Sequence, residues 1–382
     1  MKKIVIGIDA SRCRSGGARE HLIGILENLN PDEFGIAQIH VWSYKALLDA
    51  LPRFSWLVKH SESMLEGSLI KQFWWQYFIL SKELRKFDCD ILFTGDASSL
   101  CFFAPSVVLS QDLLSYEPGA LKLFRYGKHW IRLNLIRLLQ TAAFQRAQGV
   151  IFLTNYAAKM IQKVTGPLVN FRVVNHGVSN EYKTRAKKEI TSLSTLPEID
   201  CVYVSHASMY KHQWEVISGV EILRKKGYLI RLTLIGGGAG AAQAKIIRQC
   251  ALSDPKGSFV KQLPFLSQEQ LLNRLSKSDC FIYASSCEAF GITLLEAMAL
   301  GLPIVASNRS SIPETLRNGG LYFDPENPLE IAAAIEKIIQ NPDLSYRLGV
   351  RARELAKEYS WERCSNETWG YIVDTCRKIA KP

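Results

Sequence analysis

Residues 280–306 read Cys-Phe-Ile-Tyr-Ala-Ser-Ser-Cys-Glu-Ala-Phe-Gly-Ile-Thr-Leu-Leu-Glu-Ala-Met-Ala-Leu-Gly-Leu-Pro-Ile-Val-Ala. An apolar strand pattern ends at Ser285 and Ser286, and a turn at Gly291 leads into a helical pattern. Gly301 closes that helix, and Pro303 opens the next apolar run. Open α/β sheets bind ligands beyond the carboxyl ends of their strands. A helix that begins there offers backbone N–H groups with no intrahelical acceptor, a natural seat for an anion. Phe290, Gly291, Ile292 and Thr293 occupy that position. Two glutamates flank them, Glu288 on the loop and Glu296 about one turn inside the helix. A carboxylate repels phosphate, so both are expected to accept hydrogen bonds from ligand hydroxyls. The plainer alternative makes Glu288 a capping group and Glu296 a solvated helix residue.

The same grammar extends in both directions. Apolar runs near 4–9, 36–42, 90–94, 106–110, 149–154 and 171–175 alternate with helical patterns, among them 68–86 and 121–147. A second series follows near 200–205, 229–235, 258–261, 280–284, 303–307 and 321–323. Such alternation predicts parallel sheets covered on both faces. At 382 residues the chain exceeds the roughly 250–300 at which single cores stop growing, so two α/β domains are expected. The sequence divides into 1–180, a polar linker at 181–198, a second domain at 199–360, and a helix at 361–382 expected to cross back to the first domain.

Composition narrows the class. Nine cysteines are scattered without a C-x-x-C pair or metal-ligand spacing, as in reduced intracellular chains. No apolar run reaches the roughly 18 residues of a membrane span. The first residues lack the long apolar region of a signal peptide and read as a strand. A cytoplasmic protein is expected. The formal net charge of +11 invites an anionic partner without naming it.

The motif E-x-F-G-x-x-x-x-E, followed by A-x-A-x-G-x-P-I-V-A, resembles the family 4 retaining glycosyltransferases. The resemblance implies the GT-B fold of two facing Rossmann-like domains and a nucleotide-sugar donor bound by the second. It assigns the donor sugar to Glu288, the ribose to Glu296, and the diphosphate to the amides of Phe290, Gly291, Ile292 and Thr293. In the segment 202–213, Lys211 matches the family's diphosphate-binding lysine. His206 stands where the family has arginine, which weakens that contact unless the phosphates protonate it. Gly16 and Gly17 match a glycine-rich loop over the donor, and Gly236 and Gly237 a turn near the base. Gln111 and Asp112 lie where the family has a strand-terminal His-Asp on the acceptor side, with Gln111 in the His position; Asp112 is expected either to hold an acceptor hydroxyl or to cap the next turn. Asn175, His176 and Gly177 match the strand end before the linker. The reaction implied transfers a hexose-type sugar to a glycan or lipid-linked acceptor, as in surface polysaccharide or glycoconjugate synthesis. It needs no metal and no further cofactor, because the leaving phosphate accepts the acceptor's proton.

Other readings compete with this one. Asp88 and Asp90 form a D-x-D but precede a strand, which suits a turn better than a metal site. Gly236 and Gly238 suggest a dinucleotide site, yet the segment 258–261 ends in Lys261 with no acidic residue. A nucleotide-sugar epimerase shares the architecture. Residues 121–148 carry Lys122, Arg125, Lys128, Arg132, Arg137 and Arg146 with no acidic residue. Phe124, Tyr126, Trp130 and Phe144 are interleaved. That pattern reads as a solvated basic helix or as a peripheral contact with anionic lipid. No nucleic-acid groove reader or stacking platform is evident.

Overall fold

The apolar runs of the first half become seven parallel strands: β1 (Ile4–Asp9), β2 (Ile36–Ser43), β3 (Leu57–Ser61), β4 (Ile91–Thr94), β5 (Ser106–Ser110), β6 (Gly149–Phe152) and β7 (Phe171–Val173). Their order across the sheet is β3-β2-β1-β4-β5-β6-β7. The second half supplies β8 (Ile199–Val204), β9 (Ile230–Ile235), β10 (Val260–Leu263), β11 (Cys280–Tyr283), β12 (Ile304–Ser307) and β13 (Leu321–Phe323), ordered β10-β9-β8-β11-β12-β13. Every residue of β4, β6, β11 and β12 is buried, as strands with helices on both faces must be. This computed structural model describes residues 3–14, 16–124, 127–185, 193 and 196–380. They form two Rossmann-like units. One comprises 1–121, 125–177 and 360–382; the other comprises 122–124 and 178–359.

Several elements differ from their sequence-based expectation. β3 was not expected: it is short, lies at the sheet edge, and is half-buried, so it carries no continuous apolar run. Aromatic stacking stabilises it instead. The His60 ring lies 4.6 Å from that of Trp42 at 13°, and His60 Nε2 meets His40 Nδ1 at 2.9 Å. β10 begins two residues after the expected 258. The pattern at 68–86 is three successive pieces, α-helices Leu69–Trp75 and Ser81–Lys86 joined by a π-helical stretch, Gln76–Leu80. The 121–147 pattern also divides, into a 3₁₀ turn at Ala120–Phe124 and a helix at Lys128–Arg146. Of its aromatics, Phe144 is buried in the core and faces no partner surface. Arg125 and Tyr126 lie outside the described residues, as do 186–192, 194 and 195 of the expected linker. The linker's start, Asn180–Thr184, is a short helix.

The C-terminal helix, Trp361–Ala380, packs within the first unit. Trp369 Nε1 and Ser365 Oγ both donate to the Ile25 carbonyl, at 2.9 and 2.8 Å. His21 and His176 meet through their Nδ1 atoms at 3.0 Å, with the Trp361 ring within 6.2 Å of both. Burial lowers the His21 pKa to about 3, so this pair is neutral in the folded protein. Gly177 lies flat against the chain where the helix begins: an added Cβ would overlap the backbone of Ser360 and Trp361. Backbone atoms cannot swing aside as a side-chain tip can. We predict that Gly177→Ala destabilises the fold by about 2–3 kcal/mol, read as a lower urea midpoint with an unchanged slope.

Candidate active site

In the second sheet the strand order reverses between β8 and β11, which are hydrogen-bonded neighbours. Ligand crevices form at such a switch point. The loop leaving β8 carries His206 and Lys211; the loop leaving β11 carries Glu288. The two loops are joined directly: Ser286 N donates to the Tyr210 carbonyl at 2.8 Å, and His212 Nε2 meets Ser286 Oγ at 2.8 Å. His212 adopts φ 45° and ψ 32°, a left-handed turn that sends the chain into the Gln213–Lys225 helix.

These constraints bring Lys211 Nζ onto Glu288 Oε1, an ion pair with side chains only 7% and 13% exposed. The Tyr283 hydroxyl donates to the same carboxylate oxygen at 2.7 Å. The Tyr203 hydroxyl donates to the Lys211 carbonyl at 2.8 Å. Burial, followed by the charge of Glu288, pushes both phenols well above the usual tyrosine pKa, so both remain donors. Glu288 is fixed through its backbone as well. Its N–H donates to Ser310 Oγ at 3.0 Å, and its carbonyl accepts from Ser311 Oγ at 2.8 Å.

The helix after this loop is Ile292–Ala299, capped by Gly291 at φ 96°. A Cβ at Gly291 would lie 3.1 Å from the Tyr283 hydroxyl. Glycine therefore supplies the turn and leaves that hydroxyl room to reach Glu288. The amides of Gly291, Ile292 and Thr293 head the helix beside the ion pair. Glu296 is buried, which overturns the alternative of a solvated helix residue. Phe290 is also buried, its ring 5.7 Å from that of Tyr359.

The glycine turn after β9 packs backbone to backbone against the His206 loop. Gly236 has φ 127°, and a Cβ there would lie 2.6 Å from the Ser205 carbonyl oxygen. Ala207 N donates to the Gly237 carbonyl at 2.7 Å. The imidazole of His206 is held below its usual pKa by the surrounding protein and then by Lys211, with Glu288 opposing. It is neutral at pH 7, and its ring faces Tyr210, with Nε2 3.4 Å from the hydroxyl.

The other expected site residues lie in the first unit, at the carboxyl ends of its strands. Gly16 has φ 59° with open space around its α-carbon, and Gly17 starts the helix Gly17–Glu27. Gln111 Nε2 donates to the Gly95 carbonyl at 3.1 Å. Asp112 Oδ1 accepts from Leu114 N at 2.9 Å, the turn-capping alternative. Sequence reasoning missed the residues that support this region. Asp9 is buried and accepts from Ser11, Gln76 and Ser99. Arg12 pairs with Asp96 at 2.7 Å and lies 4.8 Å over the Phe73 ring. Tyr203, Tyr283, His212, Ser310 and Ser311 were missed in the second unit for the same reason: they act on neighbours brought close only by folding. Among the described residues, no three His, Cys, Asp or Glu are grouped to hold a metal ion.

Two Rossmann-like units, each a parallel sheet covered by helices, match the GT-B fold. Residues 183–355 match the model of the family described as Glycosyl transferases group 1. The O-antigen chain mannosyltransferase B of Escherichia coli is 33% identical over 141 residues, covering 36% of each chain. The chain spans about a third of the length of the curated relatives it matches. Similarity of fold extends further. Sucrose-phosphate synthase from Thermosynechococcus elongatus superposes with a TM-score of 0.77 over 96% of this chain and 97% of its own, at 16% identity. Anabaena HepE, solved in complex with UDP and glucose, superposes at 0.73 over 99% of both chains, at 18% identity.

His212 gives the site a pH signature. Burial lowers its pKa to about 4 from an unfolded value near 6.5. Between these values the unfolded chain binds a proton that the folded one does not, so stability falls as pH drops from about 6.5 to about 4. Asparagine tolerates the left-handed turn without titrating. In His212→Asn, proton uptake on unfolding at pH 5 is expected to fall by about one, measured by calorimetry in buffers of different ionisation enthalpy.

Proposed function

We propose that the protein is a retaining glycosyltransferase that moves a hexose-type sugar from a nucleoside-diphosphate sugar to a glycan or lipid-linked acceptor, in surface polysaccharide or glycoconjugate synthesis. The observation that carries this reading is the Lys211–Glu288 pair beside the amides that open the Ile292–Ala299 helix. It joins a cation and a helix N-terminus suited to a diphosphate with a carboxylate suited to sugar hydroxyls. The Escherichia coli relative's name and the UDP and glucose held by the HepE structure support the same direction. The nine cysteines are all free, as suits a reduced, cytoplasmic setting.

In this reading the diphosphate lies on the amides of Gly291, Ile292 and Thr293 and draws the ammonium of Lys211 away from Glu288. Glu288, still oriented by Tyr283, accepts from a hydroxyl of the donor sugar. Glu296 accepts from the ribose, and Gly236 and Gly237 leave room for the nucleotide. The bond from the anomeric carbon to the phosphate oxygen breaks while the acceptor oxygen bonds to the same face. The acceptor's proton passes to the departing phosphate oxygen, so no side-chain base is required. Gln111, which cannot titrate, is compatible with that route. Lys211 offsets the negative charge growing on the leaving group, where a fixed cation acts most strongly. His206 starts neutral and gains a proton only in the field of the phosphates. We propose that no metal takes part.

A thermal-shift panel of UDP, GDP, ADP, CMP and NAD tests the donor class. One nucleoside diphosphate should raise the midpoint by mass action, equally with Mg²⁺ or EDTA. A shift with NAD alone overturns the reading. Lys211→Ala and Glu288→Ala should each lower turnover about 10²–10³-fold. Each also strands its partner's charge in the interior, lowering stability. The double variant Lys211→Met/Glu288→Gln should recover the melting midpoint and not the activity, which separates chemistry from folding.

A further inference from the structure

The helix Lys128–Arg146 exposes Ile131, Leu135 and Leu138, the first and last at 64% and 67%. With Ala142 and Arg146 they recur at helical spacings of four, three, four and four, a single stripe along the outer face. Arg146 ends the stripe with its guanidinium 4.2 Å over the ring of Phe102, itself 56% exposed. Phe102 meets Tyr77 edge-on at 5.5 Å, Tyr77 meets Phe78 at 4.6 Å, and Phe78 meets Trp74 at 5.0 Å. Ile70, 80% exposed, lies one turn before Trp74. Two helical segments thus present one continuous apolar band, all within the first unit. Single exposed apolar residues need no explanation, but a contiguous band does.

Charge identifies what covers it. The runs 69–86 and 128–146 each contain four Lys or Arg, and Glu83 is the only acidic residue on either. Glu83 is already paired with Lys86 at 3.5 Å. Lys71, Lys82, Lys128 and Arg132 are exposed beside the band. Aromatic and aliphatic side chains flanked by ammonium and guanidinium groups match the headgroup boundary of an anionic bilayer, where each part meets its preferred medium. A second copy of this chain would instead bring like charges together.

The run that carries half of the band also reaches the first unit's ligand-side loop. On its inner face Gln76 donates to Asp9 Oδ2 and Ser11 Oγ at 2.8 and 2.9 Å, and Phe73 lies beneath Arg12. We infer that this band, from Ile70 and Trp74 through Phe102 to Leu138, docks the protein on an anionic lipid surface and sets the loop at 11–14 over lipid-borne acceptors. The inference rests on the proposed transfer to a lipid-linked acceptor. It keeps the exposed face of the expected contact at 121–148, without the buried Phe144, and adds the aromatic run from Ile70 to Phe102.

The test is co-sedimentation of the full chain with vesicles of equal parts phosphatidylglycerol and phosphatidylcholine, against phosphatidylcholine alone. The wild type should partition about tenfold more strongly to the anionic vesicles, and high salt should reduce this. Ile70→Glu/Leu138→Glu should lower partitioning by about tenfold or more. Its melting midpoint and nucleotide-induced shift should not change, since both side chains are exposed. Three results each overturn the docking surface: no preference for anionic vesicles, an Ile70→Glu/Leu138→Glu variant that sediments like the wild type, or light scattering that shows a dimer abolished by that variant. Vesicle binding without any nucleotide-induced shift supports the surface and overturns the proposed donor chemistry, so the two readings fail separately.

Discussion

Lys211 and Glu288 are taken out of water together, and much of the second unit's local structure follows from keeping them so. A lysine ammonium and a carboxylate lose several kcal/mol of hydration on burial, and their mutual attraction seldom returns more than it costs. Such a pair persists only where the fold holds both partners rigidly. Here Tyr283 holds the carboxylate from below, Ser310 and Ser311 hold its backbone, and Tyr203 holds the carbonyl of Lys211. The left-handed turn at His212 and the positive φ at Gly291 let two loops from adjacent strands meet at this point. Apolar residues would fill the same space at lower cost, so stability alone does not account for the pair.

The central motif was legible because its residues are close in sequence. Glu288, Gly291 and Glu296 lie within nine residues, and their spacing places a loop carboxylate, a turn and a helix carboxylate in order, while the burial of Glu296 came only with the fold. Lys211 was legible through resemblance, seventy-seven residues away, since nothing in its own neighbourhood distinguishes it from a surface lysine. Tyr283, Ser310 and Ser311 were not legible. A tyrosine ending a buried strand and two serines in a loop are ordinary until the sheet brings them together. β3 escaped because edge strands need little apolar character, and the π-helical turn because one extra residue per turn barely disturbs a helical pattern.

The first unit solves a related problem with less charge. Asp9 is the last residue of β1, whereas Lys211 and Glu288 lie in loops beyond their strands, and burial raises its pKa despite the hydrogen bonds from Ser11 and Ser99. Ser11, Gln76 and Ser99 converge on it from three segments of the chain. The polar centre is thus a brace for the surrounding loops. Loops braced from within can vary at their tips without unsettling the sheet. This fits the weaker motif in this half, where Gln111 stands in the His position and Asp112 serves its own turn.

The placement of Trp361–Ala380 in the first unit governs the order in which the molecule can be made. On the ribosome the first sheet emerges early but lacks the side chains that cover Ile25 and Gly177, among them Trp369, which is fully buried in the finished protein. The second unit, by contrast, is complete in sequence at Tyr359. The second unit can therefore close without the helix Trp361–Ala380, while the first keeps an apolar seam open until that helix docks. A chain cut shortly before Trp361 would hold one finished unit and one unfinished, and the unfinished one would be the part that chaperones and proteases recognise.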